Sequence, residues 1–422
     1  MFFIYTLLYA IALVFFLPRE LMKRPPGRRM AWLSQKLGRV EKEAHLGPAV
    51  SGRGGGAVWV HAVSVGEVLA AAPFIEALEA RGVATVISTI TETGRRVARG
   101  RFPGGRIIYL PFDLPFAFKR AAKGVGARAF VLVETELWPN AIRTMQGQGV
   151  PVFIVNGRLS EKSTAGYRRL RFFFRRVLKA VSLICVQDGV YAERAALIGG
   201  DEKKILVTGN FKFEMNPKGL PPAWTGRLAG PVIVAGSTHP GEEEFLVGTY
   251  KRLRMKFPSL IMVLAPRHPE RVPEVESLIR TAGVAYVKSS LAGGQGMLAG
   301  IVVVDTVGEL FDIYAKADVA IMGGSFSRRG GQNPLEPAYW GKPVLCGPDM
   351  SNFSFMGEFL KSGGAVTAEK ETLFEIAAGL LADEGRRAEM GAKARRFYLE
   401  RPGAVKKTID AMMDVLGGNI SR

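Results

Sequence analysis

The chain has 422 residues with a hydrophobic fraction of 48%, which predicts a folded protein of two domains rather than one. Its net charge of +19 is uneven: residues 1–210 carry 31 Lys and Arg against 15 Asp and Glu, and the remainder carries 26 against 23. The basic first half suits an anionic surface, either phospholipid or nucleic acid. With two cysteines and four histidines, the composition favours neither a disulfide framework nor a metal centre.

An apolar run opens the chain. Phe2–Leu17 is interrupted only by Thr6, and a group of basic residues follows: Arg19, Lys23, Arg24, Arg28 and Arg29. A signal peptide has its positive charge before the apolar stretch and a cleavage site after it, and neither is found here. Flanking cations stay in the cytoplasm. The pattern therefore predicts a single-pass membrane anchor at residues 1–18, with the rest of the chain cytoplasmic; a buried core helix is the alternative.

Val- and Ile-rich runs then alternate with helical stretches in two series. The first comprises Val58–Ser64, Ala84–Ile90, Arg106–Phe112, Ala129–Glu136, Pro151–Gly157, Leu183–Asp188 and Ile205–Asn210. The second comprises Val232–Thr238, Leu260–Arg267, Val284–Ser290, Ile301–Thr306, Val319–Ser325 and Pro343–Gly347. Continuous apolar runs are typical of parallel strands covered on both faces.

This alternation predicts an α/β fold of two Rossmann-like domains that face each other across a cleft. We expect the first domain at 19–211, a linker without periodicity at 212–231 and the second domain at 232–422, with the last helix able to return to the first domain. Ligands of open α/β sheets bind beyond the carboxyl ends of the strands, so the residues that follow each strand are the candidates.

In the second half, four strand ends or helix starts carry polar or glycine residues. The candidate nucleotide-binding residues there are Ser237, Thr238, Arg267, His268, Gly324, Ser325, Asn333 and Glu336. Glycines allow close backbone approach, and free amides at a helix start favour a phosphate. The Asn333-Pro334 pair fits an N-cap followed by proline at the first helical position. No Walker or Gly-x-Gly-x-x-Gly motif opens either sheet, which argues against P-loop ATPases and dehydrogenases.

In the first half, Gly66-Glu67 follows the first strand and places a carboxylate at a helix start. Glu67 could act as a general base, or it could only stabilise the helix dipole. Polar clusters also follow neighbouring strands, at Arg95 and Arg96, at Glu134 and Glu136, and at Arg158, Ser160 and Lys162. A structural ion-pair network explains Glu134 and Glu136 as well as catalysis does.

A basic amphipathic helix is predicted between Arg168 and Lys179. Five further cations share its one face with Lys179: Arg168, Arg169, Arg171, Arg175 and Arg176. Phe172 intrudes among them, while Leu170, Phe173, Phe174, Val177 and Leu178 form the opposite face. The basic face suits anionic lipid headgroups, a phosphorylated substrate or simply solvent.

Six segments together resemble the motifs of bacterial Kdo (3-deoxy-D-manno-octulosonic acid) transferases: His61–Glu67, Val133–Asn140, Asn156–Ser163, Gly236–Glu244, Ala265–Arg271 and Gly323–Pro337. The resemblance implies a GT-B fold and transfer of Kdo from CMP-Kdo to the lipid A precursor in lipopolysaccharide biosynthesis, at the inner membrane and by an inverting, metal-independent reaction without cofactor. Gln332 and Gly157 depart from the pattern, since many relatives have His and Ala there.

By this resemblance Glu67 matches the catalytic base, and Arg267, Gly324, Ser325, Asn333 and Glu336 match donor-binding positions, to which we add Ser237, Thr238 and His268. The acceptor-binding candidates are Ser64, Gly66, Arg95, Arg96, Glu136, Arg158, Ser160 and Lys162. Expected partners are CMP-Kdo, the lipid A precursor and anionic inner-membrane lipid, and no nucleic acid. Two alternatives remain open: another GT-B enzyme that uses a UDP-sugar on a lipid acceptor, and a non-catalytic adapter that binds anionic lipid.

Overall fold

The structure, a computed structural model, describes residues 1–40, 56–134, 136–215, 220–294 and 296–418. The chain divides into two compact units. Unit 1 comprises Met1–Met215 and Pro402–Arg422, and unit 2 comprises Asn216–Arg401. The linker predicted at 212–231 includes residues 216–219, which lie outside the described residues.

The described residues form 14 strands and 17 α-helices. The strands are β1 Ala57–His61, β2 Thr85–Thr89, β3 Arg106–Tyr109, β4 Ala127–Val133, β5 Val152–Gly157, β6 Leu183–Val186, β7 Ile205–Val207, β8 Val232–Thr238, β9 Ile261–Pro266, β10 Tyr286–Lys288, β11 Gly300–Val303, β12 Val319–Met322, β13 Val344–Cys346 and β14 Ala365–Thr367. The helices are α1 Phe2–Met22, α2 Pro26–Lys36, α3 Val65–Ala80, α4 Glu92–Arg101, α5 Pro115–Val125, α6 Pro139–Gly147, α7 Glu161–Arg169, α8 Arg171–Lys179, α9 Gly189–Leu197, α10 Glu243–Lys256, α11 Val272–Thr281, α12 Leu310–Ile313, α13 Leu335–Tyr339, α14 Met356–Lys361, α15 Leu373–Ala382, α16 Glu384–Leu399 and α17 Ala404–Gly418.

Unit 1 is built on a parallel sheet of seven strands in the order β3-β2-β1-β4-β5-β6-β7. Successive side chains of a strand point to opposite faces, so Trp59 and Phe130 join the apolar core on one face while Val58, Val60 and Val131 join the core on the other. Both faces are thus covered, as the uninterrupted apolar strands predict. The strand order reverses between β1 and β4, which is where such sheets bind ligands.

Unit 2 has a second parallel sheet of seven strands, in the order β10-β11-β9-β8-β12-β13-β14. Its order reverses between β8 and β12, and β8 also pairs with β9. The two parallel α/β units confirm the predicted fold class. All 13 predicted strands are present, most of them one to three residues shorter than predicted. β14 follows Gly363-Gly364 and was not predicted.

The predicted basic helix is divided at Leu170 into α7 and α8. Phe173, Val177 and Leu178 are buried, as the amphipathic pattern predicts, whereas Leu170 and Phe172 are 51% and 61% exposed. Leu170 was wrongly assigned to the packed face, because the break in the helix changes its direction. Two large apolar side chains therefore lie exposed beside the cations of α8.

The N-terminal run forms α1, which is four residues longer than the predicted anchor and includes Pro18. Among the described residues it is the one helix long and apolar enough to cross a membrane. None of its residues is fully buried, although one side of it packs on unit 1. α1 is therefore a candidate membrane anchor.

α17 packs against α3, the helix that carries Glu67, although more than 300 residues separate them in sequence. Ile409 and Met412 are buried in the same cluster as Phe74 and Phe211. The Thr408 hydroxyl donates to the Thr208 hydroxyl, at 2.9 Å. The C-terminal helix thus completes the core of unit 1.

Ile409→Ala is expected to destabilise the protein by about 2–5 kcal/mol, because it leaves a cavity in a fully buried site. Lys407→Ala on the exposed side of α17 is the matched control and should change the free energy of unfolding little. Urea denaturation followed by tryptophan fluorescence measures both. Equal unfolding midpoints for the two variants would contradict the placement of α17.

Candidate active site

Three carboxylates approach one another at the point where the strand order of unit 1 reverses. Glu67 lies in the first turn of α3, just after β1, while Glu134 and Glu136 follow β4, the neighbouring strand. Both carboxylates raise the pKa of Glu67, which places them within electrostatic reach of it. Glu134 has a φ of +59°, a strained conformation for a side chain other than glycine.

Glu67 is held by the chain just before its own helix. The backbone N–H of Val63 donates to Oε2 at 2.8 Å, and the hydroxyl of Ser64 donates to Oε1 at 3.2 Å. Ser64 is the N-cap residue and Glu67 is the third residue of the helix, which is the spacing of a capping box, but the Ser64 side chain accepts no N–H of the helix. The two bonds fix the carboxylate against the segment that precedes α3.

The electrostatic environment of Glu67 changes the pH at which its carboxyl group titrates. Burial, together with the charges of Glu134 and Glu136, raises its pKa to about 7, against the opposing hydrogen bonds from Val63 and Ser64. Burial and Glu134 also raise the pKa of Glu136. Lys212 lies 3.5 Å from Glu134 and balances part of this charge. A carboxylate that titrates near neutral pH can accept a proton from a substrate and release it to water.

His61 is buried at the end of β1. Its Nδ1 lies 3.0 Å from both the carbonyl and the hydroxyl oxygen of Ser88, and burial lowers its pKa to about 3. An imidazole with so low a pKa stays neutral at pH 7, so it cannot hold a proton taken from a substrate. Its Nε2 and the indole nitrogen of Trp138 are buried without a hydrogen-bond partner among the described residues.

The other predicted acceptor residues lie at the carboxyl ends of the same sheet. Arg95 stacks on Tyr109, with its guanidinium 4.2 Å from the ring centre, and its buried Nε has no partner among the described atoms. Gly66 is exposed, and a Cβ there would meet nothing closer than 4.0 Å, so its backbone needs no glycine for packing. Gly94 was not predicted, yet it lets α4 approach the backbone of Ser64 closely.

Four further candidates lie on or beside α4 and α7. Arg96 and Lys162 are exposed, whereas Arg158 is half-buried just after β5. Ser160 is the N-cap of α7 and accepts a hydrogen bond from the N–H of Ser163 at 3.1 Å. A capping role explains Ser160 in full, and the acceptor role of these four residues stays a prediction.

In unit 2, the predicted donor residues at the end of β8 and just after β9 and β12 lie at adjacent positions, since β8 pairs with both other strands. Ser237 has a φ of +55° and is half-buried. Thr238 is fully buried, and its hydroxyl donates to Glu243 at 3.0 Å. Glu243 also forms an ion pair with Arg271, at 2.7 Å. The buried Thr238 therefore fixes the end of β8 through its bond to Glu243, whereas Ser237 has a strained backbone conformation.

Glu242 organises this edge and was missed by the sequence analysis. Its buried carboxylate accepts the backbone N–H groups of His239, Gly324 and Phe326, at 2.9, 2.7 and 3.0 Å. The amide of Gly324 is thus already occupied. The available signal was the acidic start of α10 shortly after a buried strand, but two of the three partners of Glu242 lie more than 80 residues away.

Two arginines, Arg267 and Arg329, give this edge its positive charge, and two histidines, His239 and His268, lie beside them. Burial and the charges of the other three lower the pKa of His239. The amide nitrogen of Gln332 lies 3.2 Å from Nε2 of His239. Because an amide nitrogen can only donate, the ring nitrogen accepts and the ring proton resides on Nδ1. Arg267 and His268 are exposed, so the guanidinium of Arg267 is available to an anion.

The remaining donor candidates are held within their own loops. Asn333 accepts the N–H of Leu335 and donates to Glu336, both at 3.3 Å. α13 has only five residues and begins at Leu335, one residue later than the predicted start at Pro334. Ser325 is buried and bonds to the carbonyl of Met322 and the N–H of Gly347, at 2.5 and 2.7 Å. Their direct contact with a donor stays a prediction.

A cavity of about 320 Å³ opens beyond β13 and β14, on Gly347–Ser351, Met356, Gly357, Leu360 and Thr367. None of the predicted donor residues lines it. Asp349 lines the cavity and accepts the N–H of Gly330 at 2.8 Å, so it links the cavity to the loop between β12 and α13. Within the described ranges, no three His, Cys, Asp or Glu side chains are grouped to hold a metal ion.

Comparisons with known proteins show the family to which the chain belongs. The family model for 3-deoxy-D-manno-octulosonic-acid transferase (kdotransferase) matches residues 31–215. The 3-deoxy-D-manno-octulosonic acid transferase of Bordetella pertussis is 35% identical over 382 residues, covering 85% of this chain and 87% of the relative. The Haemophilus influenzae protein of the same name is 31% identical over 378 residues, covering 86% of this chain and 88% of the relative.

Solved structures support the fold. The UDP-GlcNAc 2-epimerase of Neisseria meningitidis superposes with a TM-score of 0.58 at 13% identity, covering 85% of this chain and 100% of that chain. MurG of Acinetobacter baumannii gives 0.50 at 13% identity, covering 85% and 99%. At such low identity the likeness concerns the GT-B architecture alone. Together with the relatives, these matches show that the chain belongs to the family of Kdo transferases and is a glycosyltransferase of the GT-B fold.

Proposed function

We propose that this Kdo transferase moves Kdo from CMP-Kdo to a hydroxyl group of the lipid A precursor, with inversion at the anomeric carbon. The observation that carries the proposal is Glu67, a fixed and half-buried carboxylate whose pKa lies near 7, at the reversal point of its sheet. A base of that pKa is partly ionised at neutral pH and can take a proton from an attacking hydroxyl.

On the acceptor side, Glu67 would remove the proton of the 6′-hydroxyl as its oxygen forms a bond to the anomeric carbon. The bond from that carbon to the phosphate oxygen of CMP breaks, and its electron pair leaves with CMP. Glu134 and Glu136 act through Glu67, because their negative charges raise its pKa. Ser64 and the backbone of Val63 keep the carboxylate in one orientation.

On the donor side, the cationic edge of unit 2 would receive the phosphate of CMP-Kdo. Arg267 offers exposed charge, His268 offers an exposed imidazole, and the neutral His239 offers its Nδ1–H. Positive groups at a departing phosphate stabilise charge as it develops in the transition state. A monophosphate can be balanced by these side chains, so the proposed reaction needs no metal ion.

We place the reaction at the inner membrane, with both units on the cytoplasmic side. The acceptor is a lipid, and unit 1 presents α1 together with the basic helix α8. Anionic headgroups would attract the exposed cations Arg171, Arg175 and Arg176. Incubation with CMP-Kdo and lipid A precursor, followed by mass spectrometry, tests the proposal: a product heavier by one or more Kdo units supports it.

Glu67→Gln should lower kcat by about 10²–10⁴-fold, because the amide cannot accept the proton. Binding of CMP should be unaffected. Glu79→Gln, an exposed position three turns further along α3, is the matched control and should retain activity. Radiolabelled transfer assays measure kcat, and near-normal turnover by Glu67→Gln would remove Glu67 from the role of base.

The rate should depend on pH through Glu67. Since its pKa is raised to about 7, the ionised base is lost as pH falls below 7, and kcat/KM should decrease about tenfold for each further pH unit. Glu136→Gln removes a negative neighbour, so the acidic limb of the profile should move to lower pH. An unchanged midpoint in this variant would mean that Glu136 does not act on the base.

Arg267→Ala should raise the KM for CMP-Kdo by about 10–100-fold, the loss expected for a charge-assisted hydrogen bond to phosphate. The thermal stabilisation that CMP gives to the enzyme should decrease in parallel. Arg254→Ala, whose guanidinium bonds to the carbonyl of Pro258 at the end of α10, is the control. UDP is the comparison nucleotide: stronger stabilisation by UDP than by CMP would favour a UDP-sugar as donor.

A further inference from the structure

α1 contacts unit 1 from its first turn to its last. Its inner side is a stripe of residues three or four positions apart: Phe2, Tyr5, Tyr9, Leu13, Leu17 and Leu21. Phe2 and Tyr5 pack against Phe173 of α8, with ring centres 5.3 and 5.8 Å away. The other four pack on the cluster of Trp32, Tyr109 and Phe112. The helix therefore lies along the unit and does not project from it.

Polar bonds fix this arrangement at the N-terminal end of the helix. The hydroxyl of Tyr5 donates to Asp113 at 2.8 Å, and that of Thr6 donates to Asn140 at 3.1 Å. Asp113 is fully buried and also accepts the N–H groups of Asn140 and Ala141 at the start of α6. Removing α1 would take one donor from a buried carboxylate, which is costly.

The outer side of α1 is apolar and uncovered. The exposed side chains are Phe3, Ile4, Leu7, Leu8, Ile11, Val14, Phe15 and Phe16, of which Phe3, Val14 and Phe15 are at least 70% exposed. A continuous apolar face of this length in contact with water is unfavourable. Something apolar must cover it.

The length of the contact decides how a bilayer can cover this face. Twenty-one residues of helix span about 31 Å, close to the full hydrocarbon thickness of about 30 Å. If the docked helix crossed the bilayer, the parts of α6 and α8 at its N-terminal end would lie on the far side or inside the hydrocarbon. These parts include Arg143, 4.5 Å from the ring of Phe2, and Arg176, 2.9 Å from the sulfur of Met1. Charged groups are expensive at that depth.

Cations flank α1 at both of its ends. The exposed cations at its C-terminal end are Arg19, Lys23 and Arg28. The cations beside its first turn belong to α8 and are Arg171, Arg175 and Arg176. A crossing helix is expected to have its cations at the cytoplasmic end only. Cations at both ends suit a helix that lies in the membrane plane beneath a row of anionic headgroups.

We infer that α1 does not cross the membrane: it stays docked on unit 1 and inserts its outer face into one leaflet of an anionic phospholipid bilayer. The single-pass anchor expected from the sequence is replaced by an in-plane one, and the N-terminus stays on the same side as unit 1. The inference rests on the proposed membrane association but not on the sugar-transfer reaction.

Sidedness is tested with two single cysteines: one in a short hydrophilic extension before Met1, and one at exposed Glu202 (Glu202→Cys) on unit 1. The native Cys185 and Cys346 are buried and give little background. A membrane-impermeant maleimide is applied to intact spheroplasts and to inverted vesicles. The in-plane helix predicts that both positions are labelled from the same side. Labelling from opposite sides overturns the inference.

Neighbouring substitutions on the two faces of α1 give the second test. Leu13→Ala on the inner stripe should lower the unfolding temperature of the protein on phosphatidylglycerol vesicles by several degrees. Val14→Ala on the outer face should leave that temperature unchanged and weaken partition into the vesicles by at least about fourfold, the effect of one buried methylene. A helix that crosses free of unit 1 predicts no thermal effect of Leu13→Ala, and that result contradicts the inference.

Neither test measures sugar transfer, so the in-plane position of α1 can be wrong while the proposed reaction is right, and the reverse. An inactive protein whose two cysteines are labelled from one side leaves the in-plane helix standing. An active enzyme whose cysteines are labelled from opposite sides overturns only the in-plane helix.

Discussion

One interaction recurs at the reversal point of both sheets: a glutamate carboxylate that accepts backbone N–H groups at the carboxyl ends of the strands. Glu67 takes the amide of Val63 in unit 1, and Glu242 takes three amides in unit 2. Parallel strands leave their terminal amides unpaired at this edge, and a carboxylate satisfies them at short range. These two fixed side chains therefore order the loops that follow β1 in unit 1 and β12 in unit 2.

The neighbours of each glutamate decide what it can do. Glu67 has one amide and one hydroxyl donor, and it shares its surroundings with Glu134 and Glu136, so its charged form is only weakly favoured. Glu242 is fully buried and uses its oxygens on the loop that follows β12. The same residue type therefore titrates near neutral pH in one unit and holds loop amides in place in the other.

The sequence could predict features that depend on residues close together in the chain, but not those that depend on contacts between residues far apart in it. The strands were predictable because burial on both faces leaves uninterrupted Val and Ile runs, and β14 was missed because three residues after a glycine pair are too few to form such a run. Glu67 could be singled out because Gly-Glu at a helix start follows the first strand closely. Glu242 was not singled out, since two of its three partners are amides distant in sequence. Lys212 was assigned to a linker for want of periodicity, although it pairs with Glu134.

The N-terminal helix shows where hydropathy alone is insufficient. A window average treats Phe2–Leu17 as one apolar segment, because the three side chains with a polar atom, Tyr5, Thr6 and Tyr9, are a small fraction of it. All three are half-buried on the inner side, and two of them bond to unit 1. Polar atoms confined to one side of an otherwise apolar helix indicate that this side contacts protein, since lipid offers them no partner. Their spacing was the signal in the sequence that distinguishes a docked helix from a free span.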